Sequence, residues 1–296
     1  MSRVYCSDAA RLRGDDNTAT AARIDVWILV ELPITWGRDP ITEAALPQIV
    51  RDALKRASRE IPRSRVVFIR KRVECLGPTR VYVVRSAPHA GVTQLDLDSL
   101  EDVATVPFVS IANDTASPAA RPLVLVCTHG QHDSCCGRRG YPLFDALRQH
   151  DDIDLWQCSH IGGDRFAANA VVLPWGIYYG PVEPRDAGAL VDSLSREEIF
   201  LPAYRGRCSF AKPVQAAETF VRRETNTLAR DAFQLLSREK LEHGRIQVRL
   251  RDTSGTIHEV TIERSDSAET ALLTCTASTA TNVPQFRMVG YKQSLG

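Results

Sequence analysis

Residues 122–165 read PLVLVCTHGQHDSCCGRRGYPLFDALRQHDDIDLWQCSHIGGDR. Pro122 to Cys127 is an apolar run of strand length. Tyr141 to Gln149 carries helical spacing, with Pro142 tolerated in its first turn, and Ile153 to His160 resumes extended character. A strand, a helical crossover and a second, parallel strand follow from that order. Such a unit brings the loop after Cys127 and the end of the second strand to one edge of a sheet, where open α/β folds place their sites. Four of the chain's eight cysteines, Cys127, Cys135, Cys136 and Cys158, stand in this stretch beside His129, His132 and His160. Thiolates mixed with imidazole suit zinc or an iron–sulfur centre, whereas a disulfide framework spreads its cysteines along a small secreted domain.

Downstream, Ala170 to Leu173 and Gly176 to Tyr179 read as short strands broken by Pro174-Trp175, and Asp186 to Glu197 as a helix. The order βαβββα is that of a thioredoxin-like layer. Upstream, Ile24 to Leu32 reads as a buried strand, and Ile41 to Arg59 as a helix with Leu46, Ile49, Val50, Ala53, Leu54 and Ala57 on its apolar face. Arg65 to Ile69 and Thr79 to Val84 are β-branched runs with a turn at Gly77-Pro78. Ser86 to Ala120 reads as a linker. Past a Pro-, Arg- and Gly-rich loop, Pro213 to His243 reads as one helix. Arg245 to Arg251 and Ile257 to Ile262 form a hairpin around Asp252–Gly255, and Ala271 to Cys275 and Phe286 to Tyr291 are further strand candidates. Three segments are expected: an N-terminal α/β half over 1–120, itself open to a thioredoxin-like reading, a thioredoxin-like domain over 121–205, and a helix plus β-hairpin over 206–296.

Composition is globular, with 44% hydrophobic and 25% charged residues. Thirty-seven Lys and Arg against 36 Asp and Glu recommend neither nucleic acid nor an anionic membrane as partner. The start, MSRVYCSDAARLRGDD, lacks the apolar core of a secretory signal, and the apolar run from Ile24 to Ile34 is broken by Asp25, Glu31 and Pro33. A cytoplasmic protein is expected, its cysteines thiols or metal ligands. Cys6, Cys75, Cys208 and Cys275 stand alone in sequence and read as small core hydrophobes. No G-x-G-x-x-G after a strand, Walker loop or H-E-x-x-H is present, so nucleotide and zinc-protease chemistry lack support.

Within the cluster, Cys127 at a strand end and Cys136 in the following loop stand at C-x8-C spacing, with Gly130, Gly137 and Gly140 allowing close backbone approach. Cys135 adjoins Cys136, and neighbouring side chains diverge, so one of the two ligates at most. Cys158 and His160, two apart, share a face of an extended segment. Gly162-Gly163 then permits a tight turn, and Asp164 is a harder donor than thiol or imidazole. His129 and His132 read as loop or supporting histidines. Arg138, Arg139 and Arg165 read as a solvated face, or as counter-charges for a negative cluster or an acidic partner. Asn169 reads as a brace for nearby backbone, and Trp156, Trp175, Tyr178 and Tyr179 as core packing.

CTHGQHDSCCGRRGYPL followed by WQCSHIGGDRFAANAVVLPWGIYYG resembles the sucrase/ferredoxin-like family, closely over Leu123 to Val182 and loosely elsewhere. The resemblance implies an α/β fold with a thioredoxin-like [2Fe-2S] ferredoxin domain, preceded by a βα-rich N-terminal half and followed by a helical and β-hairpin segment. In eukaryotic members the cluster is held by a C-x8-C pair and an H-x3-H pair. Cys127, Cys136 and His160 match, and Asp164 stands where the second histidine would be. The set favoured at this point is Cys127, Cys136, Cys158 and His160, with Asp164 or Cys135 as substitutes. The implied function is electron transfer by one [2Fe-2S] cluster, exchanging electrons with another redox protein as donor or acceptor, and a carrier more than a stand-alone enzyme. Imidazole in place of thiolate raises the potential of such a centre. Two alternatives stay open: a thioredoxin-type thiol enzyme, which the missing C-x-x-C weakens, and a structural zinc module. Sucrose hydrolysis finds no paired carboxylates to support it.

Overall fold

The computed structural model describes residues 4–71, 78–86, 90–114, 117–118 and 120–295. Cys75 and Gly77 lie outside them. Helix α1 (Cys6–Arg13) ends at Gly14, whose φ of 67° is left-handed. Strand β1 (Val26–Glu31) is buried throughout, as its Val, Trp, Ile and Leu require of a central strand. The single helix expected over Ile41–Arg59 is two, α2 (Pro40–Glu43), capped by the Asp39 carboxylate, and α3 (Gln48–Glu60). Pro47 divides them, because proline drives the residue before it out of helical geometry. Strands β2 (Ser64–Arg70) and β3 (Thr79–Arg85) fall where expected. The stretch read as a linker holds β4 (Gly91–Leu97) and α4 (Phe108–Asn113). β4 is an edge strand with mostly half-exposed or exposed residues, so it has no apolar run to betray it.

Then come β5 (Leu123–Cys127), α5 (Ser134–Leu147), β6 (Asp154–Cys158), β7 (Ala170–Leu173), β8 (Ile177–Tyr179) and α6 (Ala187–Ser195). Helix α5 starts at Ser134 rather than Tyr141, so Cys135 and Cys136 sit in its first turn and not in a loop. The Asp133 carboxylate caps it by accepting the Cys135 N–H at 2.8 Å. Its glycines mimic a loop in sequence, but Gly140 is there for contact: a methyl at that position would run into the Cys127 carbonyl.

With β9 (Tyr204–Arg207), hidden in what read as a loop, the strands form one nine-stranded sheet of order β4-β3-β1-β2-β6-β5-β7-β8-β9. β1 runs parallel to β2, β3 antiparallel to β1, and β4 antiparallel to β3. β5, β6, β7 and β8 repeat those relations, so both halves have thioredoxin-like strand order. An antiparallel seam joins them, with Ile69 opposite Cys158 and Arg70 opposite Gln157.

The sheet curls strongly. β1 and β8 are five strand steps apart, about 24 Å in a flat sheet at about 4.8 Å per step, yet the rings of Trp27 and Tyr178 lie 6.0 Å apart. Ile24 N–H also donates to the Cys208 carbonyl at 3.0 Å across the closure. The concave side encloses Trp27, Leu29, Leu125, Trp156 and Tyr178 together with Cys127, Cys136 and Cys158. Helix α3 covers the outer face of the first half through Val50 and Leu54, and α5 and α6 that of the second through Leu143, Phe144, Leu147 and Leu190. Each such buried side chain contributes about 1.5–3 kcal/mol.

Helix α7 (Lys212–Thr225) ends at Asn226, whose φ of 51° is left-handed, so the helix expected to reach His243 stops early. A four-stranded antiparallel sheet comes next: β10 (Phe233–Lys240), β11 (Ile246–Asp252), β12 (Thr256–Ala271) and β13 (Thr281–Leu295), in that order. The expected hairpin is its middle, and Leu272–Cys275 lie in the β12–β13 connection. Val214, Ala217 and Val221 of α7 pack on Val248, Leu250 and Val260. No described helix is long and apolar enough to cross a membrane.

Candidate metal centre

Cys127 and Cys158 close the adjacent parallel strands β5 and β6 and are register partners. Cys136 reaches them from the first turn of α5, and His160 from just past β6. The Cys127 and Cys136 sulfurs and a His160 ring nitrogen lie within 4.8 Å of one another. Cys127 is the hub: Cys136, Cys158 and His160 all face its sulfur. These neighbours, Cys136 first, outweigh burial and hold the Cys127 thiol well below its ordinary pKa. Cys127 and burial push Cys136 up, and burial first, then Cys127, does so for Cys158. Burial alone would lower His160, but Asp164 and Cys127 raise it to about 9.

Asp164 is part of it. Its Oδ1 accepts from the Cys136 thiol at 3.2 Å and lies 3.1 Å from His160 Nδ1. That buried nitrogen is out of hydrogen-bonding alignment with the carboxylate and has no hydrogen-bond partner among the described residues. Cys158 faces Cys127 and is fully buried, and it is not among the donors grouped with His160. Cys135 points away to other partners, as neighbouring side chains do.

Supporting groups hold this geometry. His129 Nδ1 accepts the His160 N–H at 3.2 Å, so its Nε2 carries the proton donated to the Gly37 carbonyl at 2.5 Å. Burial first of all lowers the His129 pKa and keeps this tautomer neutral. The His132 ring stacks on His160 at 3.7 Å. Arg65 donates to the His160 carbonyl at 2.7 Å. Arg205, buried beneath the Gly162-Gly163 turn, donates to the Gly162 carbonyl at 3.2 Å and to Asn169 at 2.7 Å. Asn169 in turn donates to the Gly163 carbonyl at 2.8 Å, the bracing role expected of it. Gly163 has a φ of 87°, and a methyl there would meet the Arg205 guanidinium. Arg138, which is exposed, and Arg139 bind Asp8 at 2.6 and 2.5 Å and pin α1 to α5. Arg165 lies 3.4 Å from Asp15.

Two sulfurs, an imidazole nitrogen and a carboxylate converging in an almost fully buried pocket are a donor set that a thiophilic metal centre fits. Only the imidazole edge is accessible. His160 retains 18% side-chain exposure, against 1% for Cys127 and Cys136. It lines a cavity of about 610 Å³ with Gly163, Asp164, Arg205, Ile262 and Phe286. It also lines one of about 470 Å³ with Arg38, Ile41, Arg65 and His132.

A family model described as sucrase/ferredoxin-like matches residues 18–206. The chain belongs to the sucrase/ferredoxin-like family. Among curated relatives, this family member is 34% identical over 108 residues to altered inheritance of mitochondria protein 32 of Eremothecium gossypii, covering 31% of this chain and 34% of that protein. It is 33% identical over 95 residues to the protein of the same name from Meyerozyma guilliermondii, covering 28% and 34%. The chain thus spans about a third of the length of these relatives. Among solved structures, a thioredoxin-like [2Fe-2S] ferredoxin from Aquifex aeolicus is similar at 22% identity and a TM-score of 0.26, over 29% of this chain and 91% of that one.

Sequence reasoning missed Arg205, because its place under the double-glycine turn depends on β9. It also read Cys6 and Cys275 as isolated, whereas both meet Cys135. Cys208 is, as expected, a buried core thiol. Asp133 had a usable signal, an Asp just ahead of a helix start.

Proposed function

We propose that the chain binds one [2Fe-2S] cluster through Cys127, Cys136, His160 and Asp164 and works as a one-electron carrier for a redox protein partner in a reducing, cytoplasmic setting. The observation that carries this reading is the convergence of two sulfurs, His160 and Asp164 at the carboxyl ends of β5 and β6. When bound, the cluster supplies reversible one-electron chemistry. The chain's own residues exclude water, through a core closed around Cys127 and Cys136, and leave His160 as the edge facing outward. The Asp164 oxygen lies against both Cys136 and His160, which favours it over Cys158 as fourth donor. Cys158 then serves as a hydrogen-bond donor to the Cys127 sulfur, tuning a ligand without being one.

The lowered Cys127 pKa also suits a thiol nucleophile. Its sulfur is enclosed, however, and no resolving cysteine stands at C-x-x-C spacing. Anaerobic purification with metal and sulfide analysis tests the proposal. About two irons and two sulfides per chain are expected; zinc without sulfide in fully loaded protein would overturn it. Asp164→Ala should lose or destabilise the cluster, and Cys158→Ala should keep it with a shifted potential. The reverse result would assign the fourth position to Cys158.

A further inference from the structure

Cys6, Cys135 and Cys275 lie 129 and 140 residues apart in sequence, yet their sulfurs form a closed triangle. The edges are 3.6 Å for Cys6–Cys135, 3.3 Å for Cys135–Cys275 and 3.6 Å for Cys275–Cys6. Three thiolates at about 2.3 Å from a tetrahedral zinc are separated by about 3.7 Å, so the triangle is slightly tighter than one face of such a site. It is too wide for a disulfide, at about 2.05 Å.

Asp133 organises the group. Its Oδ1 accepts the Cys135 N–H at 2.8 Å and its Oδ2 the Cys275 N–H at 2.6 Å. Both oxygens lie 3.9 Å from the Cys6 sulfur. One buried carboxylate therefore holds two of the cysteines by their backbones and faces the third, and all four donors fall within 4.8 Å. Backbone N–H groups also point at sulfur, Cys6 N–H at Cys275 and Ser7 N–H at Cys135, each at 3.5 Å. Cys6 opens α1 and Cys135 stands in the first turn of α5, so two helix N-termini favour negative charge there.

We propose that Cys6, Cys135, Cys275 and Asp133 bind one thiophilic divalent cation of the zinc type, in a closed structural site separate from the centre at Cys127. Cys135 and its neighbour Cys136 serve the two sites on opposite sides of the α5 first turn. Each thiol releases its proton to solvent as its metal–sulfur bond forms. The site ties α1 and the β12–β13 connection to α5. Through α1, whose Arg11 donates to the Ala167 carbonyl at 3.2 Å, it also steadies the segment that carries Asp164.

The full-length Cys127→Ala/Cys136→Ala chain, reduced and metal-free, is titrated anaerobically with cobalt(II), then with zinc(II). One cobalt per chain with thiolate charge-transfer and tetrahedral d–d bands is expected, together with displacement by zinc and a rise in Tm. Adding Cys275→Ala, at a half-buried connection residue, should abolish both the bands and the Tm rise; adding Cys6→Ala should do the same. Absence of bands in the parent chain, bands unchanged by Cys275→Ala, or a Cys135–Cys275 disulfide in protein prepared with metal present would overturn the proposal. Iron and sulfide contents of the native chain report on the other centre independently.

Discussion

After β1 the chain reads LPITWGRDP, and after β5, at the matching point of the second half, THGQHDSCC. The first segment leads through α2 into α3 and carries no cysteine or histidine; the second leads into α5 and brings two cysteines to its first turn. Strand order and pairing are the same on both sides of the β2–β6 seam. The layer topology thus needs none of the site residues, and the candidate donors stand at the end of β5, at the start of α5 and in the segment that follows β6 in the second half. The first half still takes part. Its Gly37 and Arg38 carbonyls engage His129 and His132 at 2.5 and 3.1 Å, and its Arg65 holds the His160 backbone.

If the fold is independent of the site, Cys127→Ala/Cys136→Ala should reduce iron and sulfide to background while far-UV circular dichroism keeps its native shape. A chain that unfolds instead would break the comparison, because the second layer would then need its ligands where the first needs none.

The halves differ next at their outer edges. β4 ends the first half as a half-exposed strand, whereas β8 is continued by β9. There the buried Glu218 accepts from Arg207 at 3.1 Å, Arg222 at 2.9 Å and Tyr204 at 2.7 Å. Glu218→Gln leaves the buried Arg222 guanidinium without its counter-charge and Arg207 with only the exposed Asp231 at 3.7 Å, and should cost about 3–5 kcal/mol, measured by urea unfolding. Burial alone would raise the Glu218 pKa, but Arg207 and Arg222 outweigh it and lower it below 4.5. Its stabilisation is therefore complete above pH 4.5 and is lost as pH falls through the lowered folded value. That acid slope should shrink in Glu218→Gln; an unchanged slope would remove Glu218 as its source.

The smallest of these effects concerns helix approach. Gly140 lets α5 touch the Cys127 carbonyl, a contact that the first half, with no glycine in α3, does without. Gly140→Ala should cost roughly 2–3 kcal/mol and weaken cluster retention by displacing Cys127. Normal stability and normal iron content would show that the close approach has no bearing on the site.

Much of this was legible in local pattern. The apolar runs of β1 and β5, the β5-α5-β6 order, the C-x8-C spacing of Cys127 and Cys136 and the place of His160 two residues past Cys158 are short-range signals, because burial on both faces of a strand and donor spacing within a loop or strand end are written in neighbouring residues. Glycines concealed the start of α5, since the same residue type serves a flexible loop and a close helix contact. β4 and β9 had too few apolar residues to stand out, and Asn226 ended α7 through a backbone conformation that periodicity does not register. The meeting of Cys6, Cys135 and Cys275, the burial of Arg205 under Gly163, and the curl that brings Trp27 to Tyr178 were decided by the tertiary structure alone. Each joins segments distant in the chain, and such contacts depend on how strands pair and how far a sheet bends, which a linear pattern of residue types does not specify.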